Sequence, residues 1–328
     1  DFTFLQSRLT FTADIFERKV TDILIPGGKD YPALIGDDDL PFENAGILKT
    51  TGFELQAKWS DKLANGFRYS VGVALSDDKA KVVSYPSNPT NKIGDGVLYK
   101  GYTVGDIWGY VTGGILQEGD FDGVGANGKP LYHGPYFKGG QAYPGYIWDQ
   151  DLDHDGVITT GLNTVDDPGD RKVIGNNAPR YRYNITANFQ YKGFDLDLMF
   201  QGVGKRDYWL SSTSSYWGNG AGSWEVYNNS WTPERTDAKF PMYGSGTGSY
   251  PQTGYLLDAS YIKLKQVILG YTFPRALINK IGLEKLRLNL AAYNLFTISD
   301  MPKYYDADYL SDAYPPKRTF SVGIQVGF

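Results

Sequence analysis

The chain has no cysteine, so no disulfide framework can be drawn for it. It has only two histidines, His133 and His154, and both fall in segments that read as loops. No serine sits in a nucleophile elbow, and no catalytic constellation is visible, so an enzyme is not expected. No apolar run approaches the ~18 residues that a membrane-crossing helix needs, and the mean hydropathy is negative. This excludes a transmembrane helix but not a transmembrane barrel, where only alternate residues of each strand meet lipid. Blocks of helix-forming Ala, Leu, Glu and Lys are scarce. The net charge is −5, and no basic patch with interleaved aromatics appears, so nucleic acid is not an expected partner. No secretory signal is visible. The sequence opens at Asp1 inside what already reads as a strand, as expected of a fragment of something longer.

What the chain does have is glycine and aromatics: 40 Gly, 26 Tyr, 17 Phe and 7 Trp. That composition belongs to a β-rich chain with many turns. Period-two alternation is read over residues 2–18, 51–59, 67–75, 181–191, 194–200, 261–273, 286–296 and 319–328. Lys192-Gly193 supplies a two-residue hairpin turn. It sets Tyr191 opposite Phe194, Phe189 opposite Leu196 and Ala187 opposite Leu198, so every apolar residue falls on one face. Tyr181, Tyr191, Tyr261 and Tyr271 stand at strand ends, where a barrel carries its interfacial girdle.

The connections alternate long and short: 19–50, 60–66, 76–180, 192–193, 201–260, 274–285 and 297–318. An outer-membrane barrel sorts its loops this way, long outside and short in the periplasm. A sandwich with Greek-key crossings has no reason to. The expectation is an all-β chain, a transmembrane antiparallel barrel portion with long extracellular loops and a periplasmic C-terminus. The end of the chain, Ser321-Val322-Gly323-Ile324-Gln325-Val326-Gly327-Phe328, also resembles the terminal-aromatic insertion signal of outer-membrane barrels.

Two loop motifs carry candidate chemistry. Asp151-x-Asp153-x-Asp155-Gly156-x-Ile158 is the first half of an EF-hand-type calcium loop. Three carboxylates converge on one hard cation, Gly156 permits the sharp turn, and Ile158 anchors the loop. Position twelve is Leu162 instead of Glu, so Asp166, Asp167 or, preferred among them, Asp170 would complete the set. The alternative is an acidic turn with no metal. The second motif is aromatic: Trp209, Tyr216, Trp217, Trp224, Tyr227 and Trp231 lie among Ser, Gly and Asn. Indole faces can stack on sugar rings; the alternative is a cluster that packs the loop against its neighbours or against a partner lipoprotein.

The ordered motifs resemble one family over nearly the whole chain. Glu43-Asn44-Ala45-Gly46 with Thr51-Gly52-Phe53-Glu54-Leu55, the stretch 100–117, the acidic loop 151–158 and Asp170-Arg171-Lys172-Val173-Ile174-Gly175 are similar to SusC/RagA-type TonB-dependent outer-membrane transporters. So are the hairpin Tyr191-Lys192-Gly193-Phe194-Asp195-Leu196, Gly270-Tyr271-Thr272-Phe273-Pro274, Asn294-Leu295-Phe296-Thr297 and the run 314–320. The resemblance implies that residues 1–328 form the C-terminal part of the barrel, about the last 8 of 22 strands. It further implies an N-terminal plug domain and earlier strands absent from this sequence. The implied partners are a SusD-like surface lipoprotein, the TonB complex and an oligosaccharide or peptide ligand. A non-transporting SusC-like structural subunit of a larger outer-membrane complex is the alternative role. A soluble, calcium-stabilised sugar-binding β domain is a third, disfavoured because a second sheet would have to cover one face of every strand.

Overall fold

A computed structural model describes residues 1–27, 41–94, 96–209, 224–303, 305–310 and 316–328, with the Glu225 side chain left out. Its body is one nine-stranded antiparallel sheet. The strands are β1 (Phe2–Phe4), β2 (Leu9–Pro26), β3 (Phe42–Lys62), β4 (Arg68–Ser84) and β5 (Arg180–Tyr191), then β6 (Phe194–Lys205), β7 (Tyr261–Thr272), β8 (Lys285–Ser299) and β9 (Thr319–Gly327). Each pairs with its neighbour in sequence, so the sheet is an up-and-down meander, the topology of a barrel wall.

Two differences from the sequence reading have local causes. Leu5, Gln6 and Ser7 all take positive φ, so residues 2–18 are a hairpin, with β1 folded back on β2. None of the three is glycine, and no turn signal marks the break. The strands also run further toward the long connections than alternation alone indicated. β2 and β3 reach 18 and 21 residues, well beyond the ~9–11 that cross a bilayer. Much of the connection read as 19–50 is therefore paired strand.

The two faces separate by chemistry. Leu196, Leu269, Leu290 and Val322 form one cross-strand row, and Ala187, Leu198, Val267, Ala292 and Phe320 the next. These residues point away from the polar face, and the apolar face stays uncovered: Ile15 on β2 is 90% exposed and Val322 on β9 76%. A soluble protein does not present a continuous apolar face of this extent. On the opposite face Thr12, Gln56, Ala74, Asn184, Gln201 and Lys263 share one row. Arg287 donates twice to Asp195 on this face.

The Lys192-Gly193 hairpin has the expected register, Tyr191 to Phe194 and Ala187 to Leu198. Both turn residues have positive φ, 46° and 87°. Around it an aromatic band gathers at the short-turn end: Phe194 and Tyr271 lie 4.4 Å apart, and Phe67 stacks on Phe189 at 6.2 Å. Tyr261 does not belong to such a girdle. The pairing of β7 skips Lys265 against both neighbours, and this bulge exchanges the faces of the residues before it. Tyr261 and Lys263 consequently sit on the polar face, where Tyr261 donates to Asp308 at 2.7 Å.

The described long connections fold over one edge of the sheet. Their packed centre is Ile147, Trp209, Val226, Phe240 and Tyr255, drawn from two different connections. A second cluster, Val203, Ala259, Tyr261, Met301 and Ala307, ties the connection after β8 to the wall.

Candidate functional site

The loop crown is built from short paired segments. Asp106–Tyr110 pairs with Arg171–Asn176, and Thr112–Ile115 pairs with Ile147–Asp149. Asp207–Tyr208 pairs with Leu257–Asp258. These segments are too short to fold alone; aromatic packing holds them. Tyr110, Phe137 and Tyr250 form a mutual edge-to-face trio with ring centres 5.2–5.3 Å apart. Beside them opens a recess of about 740 Å³ lined by Tyr102, Trp108, Tyr110, Arg171, Trp209 and Tyr250. Walls that combine aromatic faces with a few polar groups suit a small ligand.

The acidic loop lies against this crown. Asp151, Asp153 and Asp170 bring carboxylate oxygens within 4.8 Å of one another. Asp170 is fully buried; it accepts the Leu152 N–H at 2.8 Å and the Thr159 N–H at 2.7 Å. Asp151 accepts from His154 and Gly156, at 2.7 and 2.8 Å. Asp155 stands apart from this group and accepts the Val157 N–H at 2.8 Å. Gly156 takes φ +86°, and Ile158 is buried. The Asp155 N–H acts to lower the Asp153 carboxyl, but desolvation and the charges of Asp170, Asp155 and Asp151 together raise it. Three converging carboxylates with one raised in this way are the electrostatic setting in which a hard cation is favoured.

Asp149, two residues before this loop, is a buried carboxylate that sequence reading missed. It is 1% exposed. One oxygen accepts from the Tyr250 hydroxyl, and Oδ1 has no partner among the described residues. Burial pushes its pKa up to about 6; the Tyr250 hydrogen bond opposes the shift and the Asp170 charge adds to it. Burial also pushes the Tyr136 hydroxyl up to about 12.

The aromatic candidates do not form one surface. Trp209 is 9% exposed and Trp231 3%, both packed inside the crown. The Trp231 Nε1–H donates to Gln117 Oε1 at 2.8 Å. Trp224 is 78% exposed and meets Tyr227 edge-on at 6.0 Å. Tyr216 and Trp217 lie outside the described residues. His133 forms an exposed pair with Asp122 at 2.9 Å.

No family model matches the chain. TonB-dependent receptor P3 of Formosa agariphila is 27% identical over 355 residues, covering all of this chain and 33% of that protein. TonB-dependent receptor SusC of Bacteroides thetaiotaomicron is 25% identical over 350 residues, again across the whole chain. The RagAB peptide importer in its open-open state superposes with a TM-score of 0.72 at 20% identity, over 99% of this chain. Over its whole length the chain is similar to TonB-dependent receptors of the SusC/RagA type. It spans about a third of these relatives' length, 33%, 31% and 33% respectively. By that likeness in fold the nine-stranded sheet is a portion of barrel wall, and the crown closes over one edge of it. Trp108 and Tyr110 lie in the stretch 100–117 that carried the family resemblance, yet only the pairing of 106–110 with 171–176 turns them toward the recess. The spacing Trp-Gly-Tyr is the one sequence signal that marks them.

Proposed function

We propose that the protein containing this chain is an active importer of the bacterial outer membrane. The observation that carries this reading is the sorting of the wall. One face is apolar and uncovered, the other is polar and ion-paired, and every long connection leaves the same edge. The long loops are extracellular and the C-terminal strand ends at the periplasmic side. The remaining strands close the barrel, since two open edges in hydrocarbon would leave rows of unpaired backbone groups. A plug domain fills the lumen, TonB supplies energy, and a SusD-like lipoprotein covers the crown. The ligand is an oligosaccharide or a peptide. Trp224 with Tyr227, and the recess beside Trp108, are the aromatic surfaces that such a ligand would meet.

Asp151, Asp153 and Asp170 hold calcium in this reading, with the metal fixing an extracellular loop and performing no chemistry. Asp155 stays in the loop's hydrogen bonding.

The test is intact mass measurement with peptide mapping of the detergent-purified native complex. A longer polypeptide carrying a plug domain, with a lipoprotein bound, is the expected result. A complex in which no plug accompanies these residues would overturn the importer reading and favour a structural subunit.

A further inference from the structure

We propose that the outward face of β2, β3 and β4 binds the phosphate headgroup of a lipid of the outer leaflet. This rests on the outer-membrane placement of the wall and goes beyond import, which does not require it. Lys19 on β2 stands directly opposite Lys49 on β3, and Lys49 directly opposite Lys81 on β4. The next row on the same face, nearer the short turns, is Glu17, Thr51 and Lys79. The alternation of the strands puts both rows on the side of Ile15, Phe53 and Val73, the uncovered apolar face.

Like charges set directly opposite one another destabilise a sheet, and here lysines are so placed across three strands. Among the described residues one carboxylate answers them: Glu17 pairs with Lys49 at 2.9 Å. Lys19, Lys79 and Lys81 are exposed and make no ion pair among the described residues. The other carboxylates nearby are engaged elsewhere. Asp77, on the same face below Lys79, is held by Arg180. Asp22 accepts the Thr21 hydroxyl at 3.1 Å. The patch keeps an excess of positive charge that an external anion would neutralise.

Height on the wall decides which anion. The aromatic band at the short-turn end includes Tyr69, which stacks on Phe67 at 6.0 Å and accepts the Trp59 indole N–H at 3.1 Å. A tilted strand crosses a bilayer in ~9–11 residues. The unbroken β3–β4 ladder from Tyr69 reaches Lys79 at that length, with Lys81 just beyond it. Both rows therefore lie at the far boundary of the apolar band, the level of the headgroups. A lysine on the lipid face is costly at the midplane and nearly free at this level. β2 and β3 continue as paired strand to Pro26 and Phe42, so the ladder holds the row from both sides.

Spacing then gathers the cations. Neighbouring strands lie ~4.8 Å apart and same-face neighbours along a strand ~7 Å. Lys49, Lys79 and Lys81 can thus reach one phosphate, each as a flexible point charge with three donors, and the Thr51 hydroxyl stands among them. Directly below, Ile15 is 90% exposed and Val73 43%, a track for acyl chains. A free phosphate has no use for that track; a lipid occupies both halves.

The test is native mass spectrometry of the full-length transporter with its lipoprotein, purified in detergent and titrated with three probes. These are bis-phosphorylated lipid A, the same lipid with both phosphates removed, and inorganic phosphate. The phosphorylated lipid is expected to form its adduct at a concentration about tenfold or more below that of the dephosphorylated one. Inorganic phosphate in equal amount is expected not to displace it. Lys79→Gln with Lys81→Gln is expected to weaken the phosphorylated lipid about tenfold and leave the dephosphorylated one unchanged, while the two Lys→Arg changes retain it. Lys58→Gln with Lys62→Gln, on the opposite face of β3, should alter neither. Equal binding of the two lipids by the parent overturns the site and needs no variant to fold. Phosphorylated-lipid binding that survives loss of Lys79 and Lys81 overturns it as well. Displacement by equal inorganic phosphate reduces the patch to a general anion site and overturns the assignment to a lipid. Each of these failures leaves the importer reading intact, because that reading is judged by the plug and lipoprotein in the purified complex.

Discussion

Asp149 and the tryptophans make the residue scale testable. The Asp149 pKa is raised to about 6 from an ordinary 3.8. The folded crown therefore binds that proton more tightly than the unfolded chain does. Its stabilising contribution is whole below about pH 4 and is lost as pH rises through about 6. Asp149→Asn removes the titration. Hydrogen exchange at residues 147–149 and 250 should show the variant better protected than the parent at pH 7.5, with the difference narrowing as pH falls toward 4. A parent crown whose protection does not change with pH would contradict this. Trp231→Ala, at a buried and hydrogen-bonded site, should cost ~3–5 kcal/mol of local crown stability. Trp224→Ala, at an exposed site, should cost little, within about 0.5 kcal/mol. Local exchange around Gln117 separates the two. Sequence alone could not sort these tryptophans, because burial in a loop follows no periodicity. The sequence pointed to Asp170 for a reason of chemistry: position twelve lacked a carboxylate, and the structure brings Asp170 to Asp151 and Asp153. Asp155 lies outside that close group, and its carboxylate accepts the Val157 N–H.

At the element scale, alternation located the strands because lipid and lumen impose opposite chemistry on successive side chains. It could not locate the Lys265 bulge, which exists only as a mismatch of pairing with β6 and β8. Spin labels at single engineered cysteines, easily placed in a chain with none of its own, test the bulge directly. Along β7, oxygen accessibility should peak at Val267 and Leu269. Below Lys265 the phase should invert, with Leu264 facing lipid and Lys263 the lumen. An unbroken alternation from 261 to 272 would rule the bulge out. The acidic loop makes a second prediction. Millimolar calcium should slow exchange at residues 151–159, a chelator should reverse it, and Asp153→Ala should abolish the response. No response in the parent would return the motif to an acidic turn. The short paired segments of the crown were illegible, since each is held by a partner tens of residues away or more.

At the scale of the whole molecule, the sheet is a wall that needs a membrane on one side and a lumen on the other. The alternation of connection lengths survives in the structure: the turns 63–67, 192–193 and 273–284 share one edge, and the crown covers the other. Single cysteines at Asp122 and Asn127, in the crown, and at Asn65 and Lys280, in the short turns, convert this into one measurement. Intact cells expressing the full-length protein are treated with a membrane-impermeant maleimide before and after the outer membrane is permeabilised. The crown positions should label in intact cells and the short-turn positions only after permeabilisation. Labelling of Asn65 and Lys280 in intact cells, or equal labelling of all four, would contradict a wall that crosses the outer membrane with its crown outward.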